Sequence, residues 1–295
     1  MRHPHSRQIL APTLHVHPLE SRPPAWVTAL VPDPGDNDGI NVTARGNLLR
    51  ARTRLRNARF MGAETLSTSV RDAYVSLAKQ NADAGLYPVR IWNFVPGIGD
   101  RFDELDRYMV FNRGRFEALA TIGAPPLATS SAIGVTSDDL TIEMLAAADP
   151  GTQVENPRQI SSWKYSACYG PRPPCFARGT IATLDGTRWL LIGGTASIVG
   201  EDSCHEGNVE AQLDETFANL CAVIESVTPR RADPLSLLDD VRVYISRADD
   251  VGAIAEGVHG RIGSARSIEM ALATVCRPEL LVEIEGRVCL TPPPA

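Results

Sequence analysis

The feature that most constrains the fold of this chain is a weak internal repeat. Residues 89–94 read VRIWNF and residues 241–246 read VRVYIS, while residues 140–145 read LTIEML and residues 281–286 read LVEIEG. In each copy an amphipathic helical pattern precedes the first of these segments and another follows it. Both copies therefore have the order helix, strand, helix, strand, strand. This order predicts an α+β fold with mixed sheets and helices packed on one face.

The repeat divides the chain into three predicted parts. Residues 1–60 form a partly irregular N-terminal extension, residues 61–149 the first repeat, and residues 150–295 the second. The insert at 150–200 is expected to add extra strands to the second copy. Residues 265–276 and 279–290 are rich in β-branched residues and are predicted to be paired strands.

Composition excludes several classes of function. The chain has 295 residues and a net charge of −6, with no basic stripe, so we expect no nucleic-acid partner. It has no apolar run long enough to cross a bilayer, so we expect no membrane partner. The six cysteines form no CxxC pair and no zinc spacing, and we interpret them as reduced thiols of a cytoplasmic protein. No dinucleotide or phosphate-binding loop motif occurs, so no metal or cofactor is predicted.

Polar side chains gather among turn-making residues in one stretch, residues 153–200. Arginine, tyrosine and amide groups beside a Gly-rich strand suit a small, oxygen-rich anion, because guanidinium groups pair with carboxylates in a bidentate fashion. An ion pair or packing role is the alternative for each of them. The candidate ligand-binding residues here are Arg158, Arg172, Arg178, Tyr165, Tyr169, Gly193, Gly194 and Thr195.

The C-terminal copy resembles a known superfamily. Residues 266–285, RSIEMALATVCRPELLVEIE, are similar to the C-terminal signature of the RidA/YjgF superfamily. That resemblance implies two RidA/YjgF-like repeats of chorismate-mutase-like α+β architecture. It also implies that Arg266 binds a substrate carboxylate and that Glu283 handles a proton or orients water. The first copy aligns Glu143 with Glu283 but has no matching arginine, which suggests that one site was kept and one lost.

Longer motifs narrow the resemblance to one family. The motifs VENPRQ, YGPRPPCFARGT, GGTASIVG, AQLDET and LLVEIEG are similar to those of the chorismatases, over roughly residues 85 to 288. That resemblance implies a cofactor-free enzyme that removes pyruvate from chorismate. Cys276, seven residues before Glu283, implies the branch that makes 3-hydroxybenzoate, with some 4-hydroxybenzoate not excluded. The candidate catalytic residues are therefore Glu283 and Cys276.

The chemistry of chorismate sets the roles that these residues would have. Its two carboxylates require arginines, and its enol ether requires a proton from a carboxylic acid whose pKa is raised by burial. The strand period places Glu283 and Glu285 on one face. From periodicity alone that face would be the solvated side of an edge strand, and only the resemblance favours catalysis at Glu283, with Glu285 as a supporting partner. Gly193 and Gly194 are expected to leave room for the substrate ring.

Three alternatives remain open from the sequence. The first is a hydrolytic chorismatase that gives a dihydroxycyclohexadiene carboxylate. The second is a RidA-type imine deaminase, for which Arg266 and Glu283 would suffice. The third is a non-catalytic binding protein on the same scaffold. Because a tandem repeat supplies an interface inside one chain, we expect a monomer.

Overall fold

The computed structural model describes residues 16–123, 125–229 and 232–291. The helices are α1 (Ala25–Leu30), α2 (Ala63–Asp83), α3 (Arg107–Thr121), α4 (Val209–Glu225) and α5 (Val251–Ile262). The strands up to residue 154 are β1 (His17–Pro18), β2 (Ile40–Arg45), β3 (Leu48–Leu55), β4 (Tyr87–Pro96), β5 (Arg101–Phe102), β6 (Leu105–Asp106), β7 (Thr129–Val135), β8 (Leu140–Ala147) and β9 (Thr152–Val154). The later strands are β10 (Gly179–Leu184), β11 (Thr187–Ala196), β12 (Ile198–Val199), β13 (Asp202–Ser203), β14 (Leu238–Ile245), β15 (Ser267–Leu272) and β16 (Val282–Cys289).

The first unit is a five-stranded sheet covered by α2 and α3. Its strand order is β2-β3-β8-β4-β7, with β4 and β7 parallel and the other pairs antiparallel. Helix α2 buries Leu66, Val70, Tyr74 and Leu77, which recur every three or four residues along one face. Helix α3 begins where the Asp106 carboxylate accepts the Met109 N–H, an N-cap that satisfies one free donor of the first turn.

The second unit repeats this topology. Its sheet contains the order β10-β11-β16-β14-β15, with β9 and β1 added at the two edges. Strand β14 runs parallel to β15 and antiparallel to β16, as β4 does to β7 and β8. The register also repeats, because Trp92 pairs with Glu143 and Tyr244 pairs with Glu283. The α+β fold with two similar units is therefore confirmed, as is the alignment of Glu143 with Glu283.

Two details of the predicted organisation are wrong, the start of the first unit and the pairing of the last two strands. Strands β2 and β3 complete the first sheet, so the first unit starts near residue 40 and not at residue 61. The 150–200 stretch does supply strands to the second sheet, as expected, where β10 and β11 are the counterparts of β2 and β3 and β9 is added at the edge. Strands β15 and β16 are not paired with each other, because β14 lies between them.

The two sheets pack face to face, with their helices on the outer faces. Trp92 and Phe94 of the first sheet belong to the same apolar cluster as Leu191 and Tyr244 of the second. Along β16, Val282 and Ile284 face the helices. The side chains of Glu283 and Glu285 point the other way, to the first unit. The central position of β16 thus carries two acidic side chains into the space between the units. Among the described residues, no helix is both long enough and apolar enough to span a membrane.

Candidate active site

A pocket lies at the junction of the two units. The first unit supplies residues of α3 and β7, and the second supplies the 165–178 loop, β11, β12 and the segment that leads into β16. The pocket contains about 750 Å³ of space that no protein atom fills, part of it open to solvent. Its polar or ionisable lining residues are Asp106, Tyr108, Arg115, Ser130, Ser131, Tyr165, Tyr169, Arg178, Cys276, Arg277 and Glu283.

Glu283 is the acid of this pocket. It is 5% exposed, and it lines the pocket from the middle of β16. Burial is the main cause that raises the pKa of Glu283 to about 8, and the neighbouring Glu285 raises it further. Arg90 and Arg178 oppose this shift. At neutral pH the side chain is therefore a carboxylic acid that can donate a proton.

Glycine at position 194 makes room for this acid. The register of β11 against β16 is interrupted between Ile192 and Thr195, which is a bulge. A Cβ atom on Gly194 would overlap the Glu283 carboxyl, and one on Gly193 would press on the Ser130 carbonyl at 3.1 Å. Gly194 lines the pocket, and the space for the substrate ring beside these glycines stays a prediction.

Glu285 is held by a buried network that joins the units. Its carboxylate accepts hydrogen bonds from Arg90 Nη2 at 2.6 Å, Trp92 Nε1 at 2.9 Å and Ser131 Oγ at 2.6 Å. Ser131 Oγ in turn accepts the Gly194 N–H at 3.0 Å. All three partners of the carboxylate belong to the first unit, so the network fixes the bulge beside Glu283 against that unit.

Four of the predicted ligand-binding residues line the pocket together, namely Gly194, Arg178, Tyr165 and Tyr169. Arg178 is 6% exposed, and its Nη2 donates to Tyr165 Oη at 2.5 Å. Tyr169 Oη donates to Asp202 at 2.8 Å, and burial, followed by Asp202, raises the pKa of Tyr169 to about 12. The two tyrosine rings are tilted against each other, with centroids 5.5 Å apart. They therefore form a wall beside the Arg178 guanidinium.

Two further arginines of the pocket were not predicted. Arg115 is 2% exposed on α3, and within the described part of the chain its Nε and Nη2 have no hydrogen-bond partner. Arg277 lies over the Tyr169 ring at 3.9 Å, and its Nη1 donates to the Glu201 carbonyl at 2.8 Å. Arg277 directly follows Cys276, and this position is the signal by which the sequence could have identified it. Arg115 gave no signal, because an arginine in an amphipathic helix ordinarily lies on the solvated face.

The structure does not bring Arg266 into the pocket. Arg266 lies where β15 begins and pairs with Asp239 and Asp240; its side chain is 60% exposed. Asp240 pairs in register with Arg287 of β16. Arg287 lies four residues beyond Glu283 along that strand, and at the rise of a strand this separates the two residues by about 13 Å. The carboxylate-binding role that the resemblance gave Arg266 is therefore wrong.

The remaining three predicted residues make local contacts. Arg158 pairs with Glu215 at 2.7 Å, and Arg172 stacks over the Phe116 ring at 5.1 Å. The Thr195 hydroxyl donates to the Gly193 carbonyl at 3.0 Å, inside the bulge of β11. None of these three side chains lines the pocket among the residues that the structure describes.

Cys276 lines the pocket next to the acid. Burial, and then the proximity of Glu283, raises the pKa of Cys276 to about 12. At neutral pH it is therefore an uncharged thiol and not a thiolate nucleophile.

The position equivalent to Glu283 in the first unit is chemically different. Glu143 is fully buried and pairs with both Arg50 and Arg52, the latter at 2.7 Å. Arg52 also pairs with Asp33 at 2.8 Å. Glu143 is thus the centre of a buried ion-pair cluster and not part of an open pocket.

The fold and the pocket define an enzyme of two similar α+β units, with the buried side chain of Glu283 at their junction. The family model of the N-terminal domain of FkbO/Hyg5-like chorismatases matches residues 24–146. A 3-hydroxybenzoate synthase of Streptomyces hygroscopicus is 31% identical over 277 residues, which cover 89% of this chain and 80% of that protein. A chorismatase of Streptomyces rapamycinicus is 33% identical over 215 residues, which cover 68% of this chain and 64% of that protein.

A crystal structure of a chorismatase superimposes with a TM-score of 0.77 and 29% identity, covering 86% of this chain and 78% of that one. The chain belongs to the chorismatase family.

Proposed function

We propose that this protein converts chorismate into 3-hydroxybenzoate and pyruvate. The observation that carries the proposal is Glu283, which is buried and protonated at neutral pH in a pocket that also contains three arginines. Membership of the chorismatase family supports the substrate, and the name of the Streptomyces hygroscopicus relative supports the product.

Two of the arginines suit the two carboxylates of chorismate. Arg115 and Arg178 are both buried, and each has at least one guanidinium nitrogen without a partner in the described part of the chain. Unpaired buried N–H groups are costly, so a carboxylate that binds them gains a strong, charge-assisted interaction. Arg277 adds positive charge, while Tyr165 and Tyr169 fix the orientation of Arg178 and Arg277.

The reaction begins when Glu283 donates its proton to the terminal methylene of the enolpyruvyl group. The oxygen of the neighbouring ring hydroxyl attacks the ring carbon that carries the ether, the bond between that carbon and the ether oxygen breaks, and its electron pair stays with the oxygen that becomes the carbonyl of pyruvate. The hydroxyl proton passes to Glu283, and an epoxide is left across the two ring carbons. The epoxide opens at the carbon that first carried the hydroxyl, the other carbon loses its hydrogen as a proton, and the oxygen takes up a proton, which gives 3-hydroxybenzoate. No water is consumed, because the two products together contain all the atoms of chorismate.

Cys276 is proposed to govern which product forms. It is a neutral thiol that lines the pocket beside Glu283. A ring carbon of the substrate that contacts this thiol leaves no room there for an attacking water molecule. In C276A we expect more dihydroxycyclohexadiene carboxylate or 4-hydroxybenzoate, measured by chromatography of the products. An unchanged product ratio would remove Cys276 from this role.

Two further statements remain predictions. A monomer is proposed because both units that build the pocket belong to one chain. A cytoplasmic location is proposed because the six cysteines form no CxxC pair and are interpreted as reduced thiols.

The test of the proposed function is incubation of the purified protein with chorismate. Equal amounts of pyruvate and 3-hydroxybenzoate support it, with traces of the 4-isomer also compatible. A dihydroxycyclohexadiene carboxylate would show the hydrolytic reaction. Unchanged chorismate, together with ammonia release from an enamine substrate, would show the deaminase. Calorimetric binding of chorismate without turnover would show a binding protein.

A further inference from the structure

A second cavity lies behind the candidate active site, between α2, α3 and the first sheet. It contains about 1170 Å³ of space that no protein atom fills, part of it open to solvent, against about 750 Å³ for the active-site pocket by the same measure. Its walls are mainly apolar, with Val75 and Ala78 from α2, Leu119 from α3, and Leu86 and Ile91 near β4. A cavity of this kind suits a small ligand with an apolar body.

The two cavities share a wall made by Arg115 and Ser130. Arg115 Nη1 donates to Ser130 Oγ at 3.4 Å, while Nε and Nη2 have no partner among the described residues. Phe111 and Phe176 lie against the guanidinium, with ring centroids 5.6 and 5.8 Å from its Cζ. A buried guanidinium in such surroundings requires an acceptor, and a carboxylate matches its geometry.

The other polar groups of the second cavity define the rest of the ligand. Tyr74 Oη already donates to Asn93 Oδ1 at 2.7 Å. Asn81 is 1% exposed, and its Oδ1 receives no hydrogen bond within the described part of the chain, so it can accept one from a ligand. Lys79 at the exposed rim adds positive charge, and no acidic side chain is among the described lining residues. One carboxylate, an apolar body and one hydroxyl donor would satisfy these groups.

We propose that this second cavity binds a small hydroxylated aromatic monocarboxylate, with its carboxylate on Arg115 and its hydroxyl on Asn81. This ligand belongs to the same chemical class as the product of the reaction, a statement that rests on the proposed function. Because Arg115 also lines the active-site pocket, an occupant of the second cavity competes with the substrate for the N–H groups of Arg115. The ligand therefore raises the KM for chorismate.

The decisive experiment is calorimetric titration of the full-length protein with 3-hydroxybenzoate, using one blocking variant for each cavity. A78W fills the second cavity, and I198W fills the active-site pocket. We expect the wild type and I198W to bind, and A78W to bind at least about tenfold more weakly. Binding that A78W keeps and I198W loses would place the ligand in the active-site pocket and overturn the proposal, as would no binding to the wild type.

Related probes separate the chemical groups of the ligand. Benzoate lacks the hydroxyl and is expected to bind more weakly than 3-hydroxybenzoate, and phenol, which lacks the carboxylate, at least about tenfold more weakly. Hexanoate tests an aliphatic body in place of the ring. Phenol binding as tightly as 3-hydroxybenzoate, or hexanoate binding more tightly, would overturn the ligand class.

Thermal unfolding first shows that each variant is folded, and V75F replaces A78W if the latter is not. In steady-state assays with chorismate, 3-hydroxybenzoate should raise the KM of the wild type but not that of A78W, whose kcat should equal that of the wild type.

Direct binding does not depend on turnover. A protein that binds 3-hydroxybenzoate but leaves chorismate unchanged would therefore refute the proposed function and not this site.

Discussion

At the scale of single residues, the environment decides which of two equivalent glutamates is an acid. Glu143 and Glu283 occupy the same register in the two units, but Glu143 pairs with two arginines, whereas Glu283 lies buried beside Glu285. Burial and a like charge both favour the protonated form, and pairing with guanidinium groups favours the ionised one. The repeat has therefore produced one proton donor and one structural ion-pair centre from the same scaffold.

The raised pKa of Glu283 predicts how kcat depends on pH. The acid should stay protonated until about pH 8 and then ionise, so kcat with chorismate should be level near neutrality and fall above about pH 8. A carboxyl with its ordinary pKa of about 4.5 would already be ionised at neutral pH. A profile of kcat between pH 5 and 10 checks this, and a fall that begins near pH 5 would contradict it.

The same shift predicts the dependence of stability on pH. Between about pH 4.5 and 8 the unfolded chain releases the Glu283 proton and the folded chain keeps it, so the free energy of unfolding should fall as pH rises through this window. E283Q removes this linkage. Its free energy of unfolding relative to wild type should rise across that window in urea titrations, and a constant difference would show that Glu283 titrates normally.

Residue-level interpretation of the sequence identified the acid but only part of the anion site. Glu283 was found through a family motif, since periodicity alone placed it on the solvated face of an edge strand. Arg266 matched the same motif, yet pairs with Asp239 and Asp240, about 13 Å along the sheet from Glu283. Arg115 was missed because its burial depends on the loop residue Phe176 and on the second unit, which no local pattern reveals.

At the scale of elements, the bulge in β11 brings the acid to the pocket. A bulge re-aims side chains and interrupts pairing, and here it opens the backbone at Gly194 beside the Glu283 carboxyl. The sequence predicted most helices and strands, because their apolar residues follow helical or strand periods. It could not predict that β14 separates β15 from β16, because the order of strands in a sheet depends on contacts distant in sequence.

Replacement of Gly194 should displace the acid. In G194A the new methyl group overlaps the Glu283 carboxyl, and we expect a loss of about 1–3 kcal/mol in the free energy of unfolding together with most of the activity. G260A is the matched control, because a Cβ at Gly260 in α5 meets nothing within 4 Å. If G194A kept the kcat and the stability of G260A, the close contact would have no functional role.

At the scale of the whole molecule, the two units act as one because charged groups are paired across their junction. Arg90 and Glu285 are each 2% exposed and form an ion pair at 2.6 Å between the two sheets. A buried pair is a weak source of net stability, but removal of one partner leaves an uncompensated charge. The repeat itself was visible in the sequence, whereas this junction was not, since its partners are separated by 195 residues.

Removal of one member of this pair should destabilise the whole protein. We expect R90M to lower the free energy of unfolding by about 3–5 kcal/mol, and R90M/E285M to recover much of that loss, as measured by urea denaturation. R266M is the matched control, since Arg266 is 60% exposed and should contribute less than about 1 kcal/mol. Losses that are additive in the double variant would argue against the pair as the link between the units.

The central claim is that Glu283 donates the proton that starts the release of pyruvate. The most direct measurement is pyruvate formation from chorismate by E283Q, with E143Q as the control at the equivalent position of the first unit. Folded E283Q should still bind chorismate, but its kcat should fall by a factor of about 10²–10⁴, while folded E143Q should keep a kcat close to that of the wild type. Near-normal pyruvate release by E283Q would contradict the claim.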